Sequence, residues 1–92
     1  MENIVIAYDI PVDKRRNKIA SVLKDYGVRV QYSVFECKLK PEDFLKLKNA
    51  LEKIVNKKED RLYFYKLCEE CYKKVERKGN VQPIIDEEVL IV

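Results

Sequence analysis

The chemistry of this chain centres on one carboxylate, Asp9, in the stretch IVIAYDIP at residues 4–11. Asp9 follows five apolar residues, has no second carboxylate within three positions, and belongs to a chain of 92 residues that contains no histidine. One carboxylate binds Mg²⁺ weakly, because the ion needs several oxygen ligands, and no histidine can serve as a general base. Asp9 therefore either caps the turn that follows it or works with Asp9 of a second copy, since a two-fold interface places each residue opposite itself.

The basic residues that follow Asp9 are a second set with a candidate ligand. They are Lys14, Arg15, Arg16 and Lys18, and guanidinium groups suit phosphate because they bind it through paired hydrogen bonds. The balance of 19 basic and 16 acidic residues, a net charge of +3, does not by itself indicate a nucleic-acid-binding protein. The cluster is either a solvated face, as most charge runs are, or a phosphate-binding surface.

The third chemical feature is a Cys-x-x-Cys pair, Cys68 and Cys71. A structural zinc site takes four ligands, and four thiolates could be gathered here only across a dimer. The simpler interpretation is a pair of reduced thiols, with Cys37 as a strand residue that faces the core. The odd number of cysteines and the lack of a secretory or membrane-spanning apolar segment predict a cytoplasmic protein that does not enter a membrane.

The first two elements that position these residues follow from apolar periodicity. Residues 3–9 are nearly all apolar and predict a central strand. Asp13 is expected to cap the helix that follows, whose apolar residues recur with helical spacing over 19–26. Gly27 is expected to end this helix in a left-handed conformation. Asp9 would then lie at the tip of the strand, with the basic cluster in the first turns of the helix.

The rest of the chain continues the same kind of pattern. Residues 28–39 alternate but slip by one position, which predicts two short strands joined by a turn or bulge near Tyr32 and Ser33. A second helix is expected to open at Pro41, and the aromatic residues 61–67 predict a further strand. The order βαββαβ is the ferredoxin-like α+β arrangement.

The chain is expected to form a single domain over residues 1–92, with residues 68–92 as a C-terminal extension. Its ending, VLIV, is apolar and costly to expose. It predicts an extra C-terminal strand, which pairs either with the chain's own sheet or with that of a partner subunit. So small a domain is only marginally stable alone. We therefore expect a homodimer.

Four motifs resemble the CRISPR-associated protein 2 family, the smaller of the two core proteins that acquire spacers in CRISPR immunity. They are YDI at 8–10, RR at 15–16, YG at 26–27 and, most specifically, RVQYSVFEC at 29–37. The similarity covers the chain from its first residue through the predicted strand at 61–67. The resemblance implies a homodimer of ferredoxin-like protomers whose C-terminal segments cross to the partner. It also implies that the two Asp9 side chains face each other across the dimer axis.

The resemblance assigns roles to individual residues. It implies that Asp9 is the metal ligand and catalytic residue of a Mg²⁺-dependent endonuclease acting on single-stranded RNA or duplex DNA. Tyr8 and Phe35 are expected close to the paired aspartates, although each taken singly is more typical of a core residue. Ser33 is expected within reach of a water molecule or a phosphate. The remaining nucleic-acid-binding positions are basic: Arg15, Arg16, Lys18 and Arg29.

Two functions remain open from the sequence. In one, the protein is an endonuclease that also partners the CRISPR integrase. In the other, it is a non-catalytic dimer that bridges integrase dimers and holds duplex DNA on its basic helix ends. The sequence does not decide between them, because Asp9 and the arginines suit both functions. A small-molecule regulatory domain of the same fold would need a glycine-rich binding loop, which a chain with two glycines does not offer.

Overall fold

The computed structural model describes residues 1–76. Its elements in chain order are β1 (Glu2–Asp9), α1 (Asp13–Lys24), β2 (Gly27–Gln31), β3 (Val34–Leu39), α2 (Pro41–Glu52), β4 (Arg61–Leu67) and α3 (Glu69–Lys73). The strands form an antiparallel sheet in the order β2-β3-β1-β4. The ferredoxin-like βαββαβ order is therefore confirmed, with α3 as a further short helix. The predicted C-terminal strand and its pairing partner lie outside the described residues. Within 1–76, no helix is both long and apolar enough to cross a membrane.

One face of the sheet carries the hydrophobic core. Side chains alternate between the two faces of a strand, and Ile4, Ile6 and Tyr8 of β1 are buried on the face that α1 and α2 cover. The two helices contribute Ile19, Leu23, Phe44, Leu47 and Leu51, all buried. Each such side chain stabilises the fold by about 1.5–3 kcal/mol. The central strand that ends at Asp9 is therefore firmly held along its length.

The opposite face of the sheet is not covered by α1 or α2. The register between β1 and β4 places Val5, Ala7 and Asp9 on this face beside Tyr65 and Tyr63. We call these five residues the open face. Tyr63 and Tyr65 remain 42% and 53% exposed, and their rings stack with centroids 6.4 Å apart and planes 15° apart. Asp9 thus lies at the end of a largely apolar surface that the two long helices leave bare.

The slipped alternation at residues 28–39 corresponds to both predicted features. The pairing of β2 with β3 shifts register between Arg29 and Gln31, and the chain turns at Tyr32 and Ser33. A bulge of this kind flips the faces of the residues beyond it. The prediction of two strands separated near Tyr32 and Ser33 is confirmed.

The predicted cap at the start of α1 is wrong. The helix begins at Asp13 itself, and Val12 occupies the N-cap position without a side-chain hydrogen bond. The Asp13 carboxylate instead accepts a hydrogen bond from the guanidinium of Arg16, one turn further on. An ion pair along the helix surface has replaced the capping interaction.

The predicted role of Gly27 is also wrong. The helix ends at Lys24, its C-cap residue Asp25 keeps a right-handed conformation, and Gly27 is the first residue of β2. A Cβ atom at Gly27 would lie 2.4 Å from the backbone oxygen of Glu36 and 2.5 Å from the sulfur of Cys37. Glycine is therefore required here by the close approach of β3.

Candidate metal and nucleic-acid site

Asp9 is the last residue of β1, and its side chain is exposed. Within residues 1–76 its carboxylate makes no hydrogen bond and no ion pair, and the helix that follows is not capped by it. The alternative in which Asp9 only caps the following turn finds no supporting contact in this part of the chain. Asp9 is instead a free carboxylate at the end of the open face, available to a ligand.

The residue opposite Asp9 was missed by the sequence reasoning. β1 and β4 pair so that Asp9 faces Arg61, the first residue of β4. Directly opposed residues of an antiparallel pair have Cβ atoms about 4.5–5.5 Å apart on one face. Arg61 is exposed, and no ion pair with Asp9 is formed in the described structure. A cation and a carboxylate are therefore presented together, both open to solvent.

Tyr8 and Phe35 point away from Asp9, into the core. Their side chains are 5% and 0% exposed, and their rings stack with centroids 6.3 Å apart. The backbone of Tyr8 adjoins Asp9, but in the protomer neither ring reaches a surface from which it could contact nucleic acid. Their predicted part in binding nucleic acid stays a prediction. What the structure shows is a supporting position beneath the site.

Tyr8 also ties the turn between β2 and β3 to the end of β1. Its hydroxyl donates to the backbone oxygen of Tyr32 at 3.3 Å, and its backbone N–H donates to the oxygen of Ser33 at 3.1 Å. The half-buried Ser33 is thereby held one strand position from Asp9. The guanidinium of Arg29 lies 5.2 Å from the ring centre of Phe35 and 6.0 Å from that of the exposed Tyr32. The structure therefore brings Ser33 and Arg29 to the same end of the sheet as Asp9.

Arg15 is engaged by two carboxylates. Its Nε donates to Oδ2 of Asp60 at 2.8 Å, and its Nη2 donates to Oε2 of Glu59 at 2.9 Å and to Oδ1 of Asp60 at 3.1 Å. The Asp60 side chain is fully buried, and hydrogen bonding by Arg15 lowers the pKa of Asp60. This bidentate pair fastens α1 to the loop before β4. A phosphate contact by Arg15 would have to compete with it.

Arg16 is engaged by other groups of the chain, whereas Lys18 is not paired within the described residues. Arg16 donates from Nη1 to the backbone oxygen of Ile10 at 3.0 Å and pairs with Asp13, so it braces the chain just after Asp9. Lys18 is exposed and makes no ion pair with any residue in 1–76. Of the four predicted phosphate-binding cations, Lys18 and Arg29 are the two whose charges are not taken by a carboxylate of the described chain.

One protomer does not supply a complete metal site. No group of three or more histidine, cysteine, aspartate or glutamate side chains in residues 1–76 could hold a metal ion. Magnesium prefers oxygen ligands and is usually held by one or two carboxylates together with water and phosphate. The Asp9 carboxylate, exposed and without a partner in residues 1–76, fits this donor chemistry but supplies one carboxylate per protomer.

The sequence and the fold were compared with those of known proteins. The sequence model of the family described as CRISPR associated protein Cas2 matches residues 1–75. The CRISPR-associated endoribonuclease Cas2 of a Thermus thermophilus strain is 48% identical over 77 residues, which span 84% of this chain and 82% of that relative. The similarity thus extends through all the described elements.

Solved structures agree with the sequence match. The crystal structure of Streptococcus pyogenes Cas2 at pH 6.5 superposes with a TM-score of 0.75 at 35% identity, covering 84% of this chain and 99% of that one. A chain of a partial Cas6-RT-Cas1–Cas2 complex superposes with a TM-score of 0.74 at 32% identity, covering 84% and 90%. The resemblance carried by the QYSVFE region is confirmed, and this chain belongs to the Cas2 family of CRISPR-associated proteins.

Proposed function

We propose that this protein is a cytoplasmic, homodimeric component of CRISPR spacer acquisition with a Mg²⁺-dependent endonuclease site built from Asp9 of both protomers. The observation that carries the proposal is the Asp9 carboxylate, exposed at the end of the open face and unpartnered within the described chain. Similar proteins are named CRISPR-associated endoribonuclease Cas2, which supports the endonuclease part of the proposal.

The homodimer is proposed to form through the open face. Tyr63 and Tyr65 expose about half of their surface there, and a second copy would bury these rings against its own apolar counterpart, with a metal ion offsetting the charge of the two Asp9 carboxylates. An isologous interface brings each residue near its symmetry mate when the axis passes close to it. With the axis near the end of β1, the two Asp9 side chains meet and supply two carboxylates in place of one.

The residues around Asp9 are suited to a phosphodiester substrate. The two Asp9 carboxylates would hold the metal ion. When bound, Mg²⁺ lowers the pKa of a coordinated water and neutralises charge on the reacting phosphate. Arg61 and Arg29 would bind the flanking phosphates, and the Ser33 hydroxyl would donate a hydrogen bond to a phosphate oxygen. These contacts read the backbone and not the bases, so single-stranded RNA and duplex DNA are both proposed substrates.

The proposal is tested by comparing wild type with Asp9→Asn on single-stranded RNA and on duplex DNA, each with Mg²⁺ or with a chelator. We expect cleavage by wild type in Mg²⁺ only and none by Asp9→Asn. Asp25→Asn is the matched control, because Asp25 is an exposed aspartate at the far end of α1, and it should cleave like wild type. Cleavage that survives both Asp9→Asn and the chelator would contradict the proposal.

A second candidate function is a non-catalytic scaffold that binds DNA and the CRISPR integrase. The likeness to a chain within a Cas1–Cas2 complex favours it. In this function Asp9 has no chemical role, whereas exposed cations such as Lys18 and Arg29 hold the duplex. We propose to assay spacer integration with the integrase partner. Impairment by Lys18→Ala with Arg29→Ala, and little effect of Asp9→Asn, would favour the scaffold, whereas the reverse pattern would favour the nuclease.

A further inference from the structure

Cys68 and Cys71 occupy a single helical turn just after β4. Cys68 is the N-cap of α3, and the backbone N–H of Cys71 donates to the Cys68 sulfur at 3.3 Å. The backbone N–H of Tyr72 donates to the Cys68 oxygen at 2.9 Å, so Cys68, whose own backbone is extended, closes the first turn of α3. Residues three apart in such a turn have Cα atoms about 5 Å apart. That spacing lies within the range of roughly 4.4–6.8 Å that a disulfide spans.

Both cysteine side chains are accessible. They are exposed, and the Cys68 sulfur accepts the backbone N–H of Cys71. Hydrogen bonding by the backbone and thiol of Cys71 lowers the pKa of Cys68. The same contact raises the pKa of Cys71. Cys68 is therefore favoured as the attacking thiolate and Cys71 as the thiol that completes the bond.

Cys37 has the opposite environment. It is buried in the core, and burial raises its pKa to about 11 from an ordinary value of 9.0. A pKa higher by about two lowers the thiolate fraction at neutral pH about 100-fold, and burial further hinders access. The chain thus contains its own unreactive cysteine for comparison.

We propose that Cys68 and Cys71 form a dithiol–disulfide couple that exchanges with small-molecule disulfides. The Cys68 thiolate attacks one sulfur of a disulfide RSSR, forming a mixed disulfide and releasing one thiolate RS⁻. Cys71, after losing its proton, attacks the Cys68 sulfur and releases the second RS⁻. The protein loses two electrons and two protons, and RSSR is reduced to two RSH. This proposal does not depend on the nuclease or scaffold function.

The test uses the full chain and glutathione buffers of varied ratio between the reduced and oxidised forms. Samples are quenched in acid, unfolded, alkylated and weighed as intact proteins. Oxidised wild type should lose two hydrogens and keep one alkylatable thiol, Cys37. Cys71→Ser should stop at one glutathione on Cys68, because the resolving thiol is gone. Cys37→Ser, the matched control, should form the Cys68–Cys71 disulfide as wild type does.

Three results would overturn the proposal. One is a wild-type protein that carries glutathione as stably as Cys71→Ser does. Another is covalently linked protomers on a non-reducing gel in place of an internal disulfide. The third is tight zinc binding by reduced wild type that protects Cys68 and Cys71 from alkylation, since that would assign the four thiols of a dimer to a metal. Folded Cys37 should be alkylated at least about 100-fold more slowly than Cys68, which checks that the protein stayed folded.

Discussion

Removing the tyrosine rings of the open face should weaken the dimer without weakening the protomer. Tyr63 and Tyr65 stack on each other, 42% and 53% exposed, on a sheet face that α1 and α2 do not cover. In the protomer these rings already contact water over about half of their surface. Their replacement by serine therefore removes little protomer packing but much of the apolar surface that a second copy would bury.

The exposed areas set the magnitude. A buried tyrosine removes about 200 Å² from water, so half a ring corresponds to about 100 Å² and, at about 25 cal/mol per Å², to roughly 2 kcal/mol after allowing for the hydroxyl. Each substitution occurs in both protomers of the dimer, so the loss of dimerisation free energy is at most about 4 kcal/mol per substituted position. Imperfect pairing reduces the net to about half of that, so the Kd of the dimer should rise about 30-fold, and the upper limit of about 4 kcal/mol corresponds to roughly 1000-fold.

Sedimentation equilibrium across a range of concentrations measures this Kd for wild type, Tyr63→Ser and Tyr65→Ser. Leu45→Ser is the matched control, because Leu45 of α2 is a large apolar residue that is 56% exposed and lies on a helix covering the other face of the sheet. The reasoning is refuted if wild type is monomeric at micromolar concentration. It is equally refuted if Leu45→Ser weakens the dimer as much as the tyrosine changes do.

Three further predictions concern single residues. Gly27→Ala should lower the free energy of unfolding by about 1–3 kcal/mol in urea titrations, since its Cβ would lie 2.4 Å from the Glu36 oxygen; unchanged stability would contradict this. Hydrogen bonding by Arg15 lowers the pKa of Asp60. The ionised Asp60 therefore stabilises the folded protein above the unfolded pKa of about 3.9, and this contribution is lost as pH falls through the folded pKa. Asp60→Asn should therefore reduce the loss of unfolding free energy at low pH. If this loss is the same in wild type and Asp60→Asn, Asp60 does not contribute to it. Arg61→Ala should reduce the slope of log K against log salt for duplex DNA by about one per protomer, whereas an unchanged slope would remove Arg61 from the interface.

The fold was largely predictable because it depends on local periodicity. The apolar run of β1 and the slipped alternation near Tyr32 and Ser33 indicate strands, a bulge and a turn directly, and the structure contains all of them. Gly27 was misassigned because helix-ending glycines are common. Its actual constraint, the approach of β3, is a contact between residues distant in sequence that no local pattern contains.

The site was predictable in its centre and not in its surroundings. Asp9 stands at a strand tip, which the run before it indicates. Arg61 was missed because its position opposite Asp9 depends on the register of β1 with β4, and register is set by the packing of the whole sheet. The engagement of Arg15 by Asp60 was missed for the same reason, because 45 residues separate the two in the chain.

These ion pairs determine which substitutions can test phosphate binding. Arg15→Ala would leave the buried Asp60 carboxylate without its cation, so any loss of DNA binding in that variant mixes lost stability with a lost contact. Lys18 and Arg29 are exposed and form no ion pair within residues 1–76, so replacing them changes the surface charge and leaves the described salt bridges intact. The salt dependence of duplex binding is therefore assigned through Lys18 and Arg29, together with Arg61, and not through Arg15. The contribution of Arg15 belongs instead to the attachment of α1 to the loop that leads into β4, next to the strand pair that carries Asp9.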